Sequence, residues 1–188
     1  MLFIWRADPM EKYIALLRGI NVGGKNKLSM PVLKEMFEQN GFDSVETYIN
    51  SGNIIFLSDN TDEKSLKEEC EKLIANTFHF KISLMIISVR DLSAALDNAP
   101  SWWDQDSDSK HNAFFILPPT PVDEIFRKVG AIKPEYEKVD HFGRVVFWSA
   151  PIKTFSRTRW SKVVGSAVYD SITIRNANTV KKLLLLAK

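Results

Sequence analysis

The chain has 188 residues, 45% of them hydrophobic and 26% charged, an ordinary globular profile with room for one large domain or two of roughly 80–100 residues each. No segment approaches the ~20 consecutive apolar residues of a membrane-spanning helix, and the apolar opening Met1 to Trp5 is too short, and lacks the basic flank, for a secretory signal. One cysteine, Cys70, excludes an internal disulfide and a multi-cysteine zinc site, so the expected setting is reducing and cytoplasmic. The net charge of +2 hides an asymmetry: from Lys153 onward eight basic residues face one acid, Asp170, whereas residues 10–152 carry 16 basic and 21 acidic groups. Such separation steers an anionic partner toward one face, although lysines on the solvent side of a C-terminal helix account for part of it.

Residues 1–9 fit no pattern and are expected to pack poorly, with Met10 the better start of the first strand. Lys12 to Arg18 encloses the continuous apolar run Tyr13 to Leu17 and ends at Gly19, the pattern of a buried strand. After a turn-rich loop, Pro31 stands where a first helical turn tolerates it, and Leu33, Met36 and Phe37 repeat at helical spacing up to Gly41. Val45 to Ile49 and Asn53 to Leu57 are β-prone runs joined by Asn50-Ser51-Gly52, a hairpin pattern because Asn and Gly accept positive φ. A helix follows with Leu66, Cys70, Leu73, Ile74, Thr77 and Phe78 on one face, and then a strand over Lys81 to Val89. The order of this half is β-α-β-β-α-β.

Residues 91–110 contain Asp97, Asp104, Asp106 and Asp108 around Pro100-Ser101-Trp102-Trp103 and read as an acidic linker with a tryptophan anchor. The second half, 111–188, repeats much of the order of the first: a strand over His111 to Leu117, a helix over Val122 to Val129, and a hairpin of Glu135 to Val139 with Arg144 to Ser149 turning at Asp140 to Gly143. A helix around Arg159 to Val168, a strand over Ser171 to Ile174 and a last helix from Ala177 complete it. The economical architecture is α+β: two split β-α-β lobes, each an antiparallel sheet with helices packed on one face.

The densest cluster of potential chemistry is the loop from Arg18 to Lys27. It holds Arg18, Lys25 and Lys27, no acid, and Asn21, Gly23 and Gly24 among its turn residues. From Gly19 it matches G-x-x-x-x-G-K, but Asn26 stands where a phosphate-binding loop places the hydroxyl that holds magnesium, and the neighbouring strands form a hairpin instead of a parallel sheet. An NTPase is thereby disfavoured. A weaker version survives, in which glycine backbone N–H groups form an anion-holding nest supplemented by the three cations; a loop that merely turns the chain explains the glycines equally. At the hairpin, Ser51 and Asn53 offer polar groups that turn chemistry also explains. Asn176 is a plausible N-cap for the last helix, with Arg175 beside it, giving a second potential anion site or simple capping. Arg157, Arg159 and Lys162 surround Trp160, a pattern of base stacking or of a core tryptophan. Cys70 on an apolar helix face reads as a buried hydrophobe, and His79, His111 and His141 have neither metal-site spacing nor a recognisable triad.

Three blocks, Arg18 to Lys27, Thr47 to Asn53, and Thr173 to Asn176 with Thr179, resemble those of the bacterial domain of unknown function 1697 family. The likeness runs over about residues 10–188 and includes Pro100 to Trp103; Ala177 departs from the Trp that many members carry there. The resemblance implies two ferredoxin-like lobes and supplies no catalytic roles, cofactor or metal. The functional expectation is a protein that binds a phosphate-bearing ligand, a nucleotide or nucleic acid, in a cleft between the two lobes lined by Arg18, Asn21, Gly23, Gly24, Lys25, Lys27, Ser51, Asn53, Arg175 and Asn176. The alternatives are an enzyme acting on a small phosphorylated or carboxylated metabolite, and a subunit of an assembly anchored through Trp102 and Trp103.

Overall fold

The computed structural model describes residues 10–23 and 26–188, so the N-terminal extension, Gly24 and Lys25 lie outside the described residues. Two compact units divide the chain, the first ending at Val89 and the second running from Arg90 to Leu186.

In the first unit, β1 (Glu11–Leu17), α1 (Met30–Gln39), β2 (Asp43–Tyr48), β3 (Asn53–Ser58), α2 (Glu63–Phe78) and β4 (Leu84–Ser88) form a four-stranded sheet in the order β2-β3-β1-β4. All neighbours are antiparallel, with Ile14 opposite both Ile55 and Ile87. Because side chains alternate along a strand, Tyr13, Ala15 and Leu17 fall on one face, and there they meet Leu33, Met36 and Phe37 of α1 and Leu66, Cys70 and Ile74 of α2. Phe37, Phe42 and Phe56 interlock with ring centroids 4.8–5.4 Å apart; a fully buried side chain of this size contributes about 1.5–3 kcal/mol. Ile14, Leu16, Met85 and Ile87 on the opposite face are also buried, which is why β1 and β4 read as unbroken apolar runs. Pro sits in the first turn of α1, and Asp62 caps α2 by accepting from the Lys64 N–H. The fourth strand is shorter than the expected 81–89 and begins only at Leu84.

The second unit repeats the strand order as β6-β7-β5-β8 with β5 (Ser109–Ile116), α4 (Val122–Val129), β6 (Lys138–Phe142), β7 (Val145–Pro151) and β8 (Ile172–Asn176), followed by α5 (Ala177–Ala187). Together the two sheets give the α+β, ferredoxin-like arrangement. Within 91–110, expected as linker, α3 occupies Val89–Asp97 and β5 begins at Ser109. The β6–β7 turn lies later than expected: Phe142 pairs with Val145, leaving Gly143, with φ +54°, and Arg144 as the two-residue turn. Asp140 and His141 are therefore strand residues.

The helix expected over 159–168 is replaced by three 3₁₀ segments, Ile152–Arg157, Trp160–Gly165 and Ala167–Ser171. Gly165, Ser166 and the β-branched Val163 and Val164 disfavour a continuous α-helix, and the Ser166 hydroxyl accepts from the Val168 N–H to open the last segment. Their apolar residues Trp160, Val163 and Val168 nevertheless pack with Ile125 over Phe114, Val146 and Trp148, taking the place of a second helix on this face. Among the described residues no helix is long and apolar enough to cross a membrane.

Candidate functional site

Asn21 organises the basic loop of the first unit. Its carboxamide N–H donates to the carbonyls of Leu28 at 3.0 Å and Asn50 at 2.9 Å, and its carbonyl accepts from the Leu28 N–H at 2.8 Å. One side chain thus closes the loop on itself and ties it to the tip of the β2–β3 hairpin. The Asn26 side chain donates to the Gly19 carbonyl, the Asn21 N–H to the Asn26 carbonyl, and the Leu17 N–H to the Gly52 carbonyl at 2.8 Å. Gly52 is indispensable to this approach: it holds φ +77°, and a Cβ there would lie 2.6 Å from Ile20 Cδ1 and 2.7 Å from Leu17 Cβ.

The hairpin tip carries strain. Ile49, β-branched and 48% exposed, is held at φ +50°, a left-handed conformation that such residues rarely adopt. Asn53 is fully buried, and its carboxamide donates to the Tyr48 carbonyl and Ser51 Oγ at 2.9 and 3.0 Å. Asn21, Ser51 and Asn53 therefore hold the tip together. Arg18, half-buried, donates its backbone N–H to the Ser83 carbonyl, while Gly23 and Lys27 are exposed. Among the described residues no carboxylate pairs with Lys27. Two of the three sequence blocks thus meet in one unit.

The third block lies in the second unit. Burial pushes the Arg175 guanidinium down to about 10, still a cation at neutral pH, with Tyr169 acting in the opposite direction. Its Nη1 donates to Thr173 Oγ1 at 2.9 Å and to the Ile174 carbonyl at 2.8 Å. Asn176 is the expected N-cap, its side chain accepting from the Thr179 N–H at 2.8 Å.

Two networks in the second unit have no counterpart in the sequence reading. Glu137, 2% exposed, accepts four N–H groups: those of Trp148 Nε1 at 2.9 Å and the Trp160 backbone at 3.1 Å on one oxygen, those of the Arg159 and Lys133 backbones at 2.9 and 3.2 Å on the other. His111, also buried, accepts at Nδ1 from the Asp104 N–H at 3.0 Å and lies 2.6 Å from Ser149 Oγ. Its Nε2 is 2.8 Å from the Asp106 carbonyl, which fixes the tautomer with the proton on Nε2. The imidazole thereby pins residues 104–106 to the sheet. Asp104, read as part of a solvated linker, turns its carboxylate to Lys181.

Trp160 is a core residue: fully buried, its ring centroid lies 5.2 Å from that of Phe114 and 5.1 Å from that of Phe126. Trp103 is likewise buried, donating its indole N–H to the Asn112 carbonyl and meeting Phe147 edge-on at 5.0 Å, so it anchors its own unit and is not an outward-facing docking group. Burial, reinforced by Glu69 and Glu71, raises the pKa of Cys70 and leaves it a neutral thiol. Among the described residues no group of three or more His, Cys, Asp or Glu is disposed to hold a metal ion.

Residues 10–147 match the family model described as protein of unknown function DUF1697. The chain is similar to the solved structure of the conserved bacterial protein SP0830 from Streptococcus pneumoniae, with 34% identity and a TM-score of 0.86 over 96% of this chain and all of that one. No functionally curated protein matches it.

Proposed function

The chain belongs to the DUF1697 family, and we propose that it binds a phosphate-bearing ligand, a nucleotide or a segment of nucleic acid, at the basic loop and hairpin tip of the first unit. The observation that carries the reading is the Asn21 clamp, which fastens an acid-free loop bearing Arg18 and Lys27 against the Asn50 carbonyl. A loop whose sole task is to turn the chain gains nothing from cationic residues on both sides of such a clamp, whereas cations and turn N–H groups on one fastened loop suit a phosphate. The left-handed Ile49 supports the same place, since strain of about 1–3 kcal/mol persists where the surroundings impose it and clusters at ligand sites. The reading centres on the first unit; in the second, Arg175 Nη1 donates to Thr173 Oγ1 and the Ile174 carbonyl, and Asn176 Oδ1 accepts from the Thr179 N–H.

The test is fluorescence anisotropy with labelled single-stranded RNA and DNA, together with calorimetry against mononucleotides, on the full chain and on Arg18→Ala and Lys27→Ala. Binding that weakens at least severalfold in each variant and falls with rising salt is the expected result. Unchanged affinity in both variants, or no binding to any phosphate ligand, refutes the proposal.

A further inference from the structure

Two clefts in the second unit adjoin each other. One, of about 600 Å³, is polar, with Asp106, Ser107, His111 and Asn178 in its wall; the other, of about 430 Å³, has Leu96, Ala99, Pro100 and Trp103 beside Ser101. Both are bordered by Asp104, Gln105 and Lys181, so the Asp104–Lys181 ion pair stands at the junction of a polar compartment and one of mixed lining whose apolar part is Leu96, Ala99, Pro100 and Trp103. This pair is built into the fold at two points. Asp104 sits at φ +59°, its N–H fixed on His111 Nδ1, and Lys181 belongs to the second turn of α5. Asp106 stands beside it as a further carboxylate, 53% exposed and 3.8 Å from His111 Nε2.

We propose that this groove is a site for a zwitterion of the α-amino-acid type with an apolar side chain. The argument is one of charge balance. The ion pair is half exposed on its lysine side, and a pair that water reaches opens at modest cost. A simple anion inserted at Lys181 strands Asp104, and a simple cation inserted at Asp104 strands Lys181. A ligand with adjacent ammonium and carboxylate exchanges the pair with both charges re-partnered. The ammonium turns to Asp104 with Asp106 behind it, the carboxylate to Lys181 and the Asn178 amide, and the side chain to the compartment of Leu96, Ala99 and Pro100. Apolar groups on one side of the charge pair and hydrogen-bonding groups on the other are the mixture expected in the lining of a small-molecule site. The inference does not rest on the phosphate reading, which concerns residues of the first unit.

Calorimetry on the full chain with L-leucine and L-phenylalanine tests it, alongside isoamylamine and isocaproate, which keep the apolar group but carry one charge each. Both amino acids are expected to bind and each single-charge analogue to bind at least about tenfold more weakly. Asp104→Asn, which retains a residue tolerant of left-handed φ, and Lys181→Met are each expected to lose about tenfold in affinity. Absence of binding by both amino acids, analogues that bind as tightly, or folded Asp104→Asn and Lys181→Met variants of unchanged affinity overturns the proposal. The comparison of amino acids with their analogues uses the unmodified chain, so it decides the question even where a variant fails to fold.

Discussion

Replacing Glu137 is the sharpest probe of how the second unit holds together. The wild-type carboxylate satisfies four N–H donors. In Glu137→Ala the Lys133 and Arg159 amides, on residues that reach solvent, find water. The Trp148 indole N–H and the Trp160 backbone N–H belong to fully buried residues and do not. Each buried donor left unsatisfied costs about 1–3 kcal/mol, so two give a loss of about 2–6 kcal/mol, a large part of the 5–15 kcal/mol typical of a folded domain. Glu137→Gln keeps one acceptor oxygen and turns an NH₂ toward donors on the other side, so it falls between wild type and Ala. Urea unfolding followed by far-ultraviolet circular dichroism measures the order, and near-ultraviolet circular dichroism reports the packing of Trp148 and Trp160. A loss below about 1 kcal/mol in Glu137→Ala, with the tryptophan signals unchanged, refutes the reasoning, since orphaned donors at that depth cannot be so inexpensive.

Gly52→Ala brings a Cβ within 2.7 Å of Leu17 Cβ at φ +77°, whereas Gly23→Ala meets nothing within 4 Å; overpacking and left-handed strain together predict a loss of about 2–4 kcal/mol for the first and about 1–2 for the second, read as urea midpoints, and equal losses contradict the close approach of hairpin and loop. Cys70 is expected to resist thiol reagents at pH 8 until the chain unfolds, and rapid labelling of native protein contradicts its burial. Its raised folded pKa also has a definite sign. The thiol stays protonated in the folded chain while the unfolded chain releases its proton above the ordinary value of 9.0, so this contribution is intact below pH 9 and declines above it at up to about 1.4 kcal/mol per pH unit. Cys70→Ala removes that part of the alkaline slope in denaturant titrations at successive pH values.

What could be read without the fold was whatever is written in neighbouring residues. The apolar run of β1, Pro31 in the first turn of α1, the Asn50-Ser51-Gly52 turn and Asn176 at the head of α5 are local patterns, and their order alone implies two split β-α-β lobes. The basic loop and the hairpin tip were recognisable as sequence blocks for the same reason. Their union was not, because it depends on Asn21 reaching Asn50, 29 residues away. The segment 152–171 misled for a related reason: its apolar residues suggested a helix, but Gly165, the serines and adjacent valines make a long α-helix costly, and packing over Trp148 is achieved with 3₁₀ turns instead. Glu137 and His111 carried no local sign at all. An acid between Tyr136 and Lys138 looks like any surface acid until Trp148 and Trp160 are folded over it, and the tautomer of His111 is fixed by Asp104 on one side and by Asp106 on the other. Backbone propensity and periodicity act over a few residues and so determine elements and their order; desolvation and hydrogen-bond satisfaction act between residues distant in the chain, and only the tertiary structure decides which polar groups they bury together.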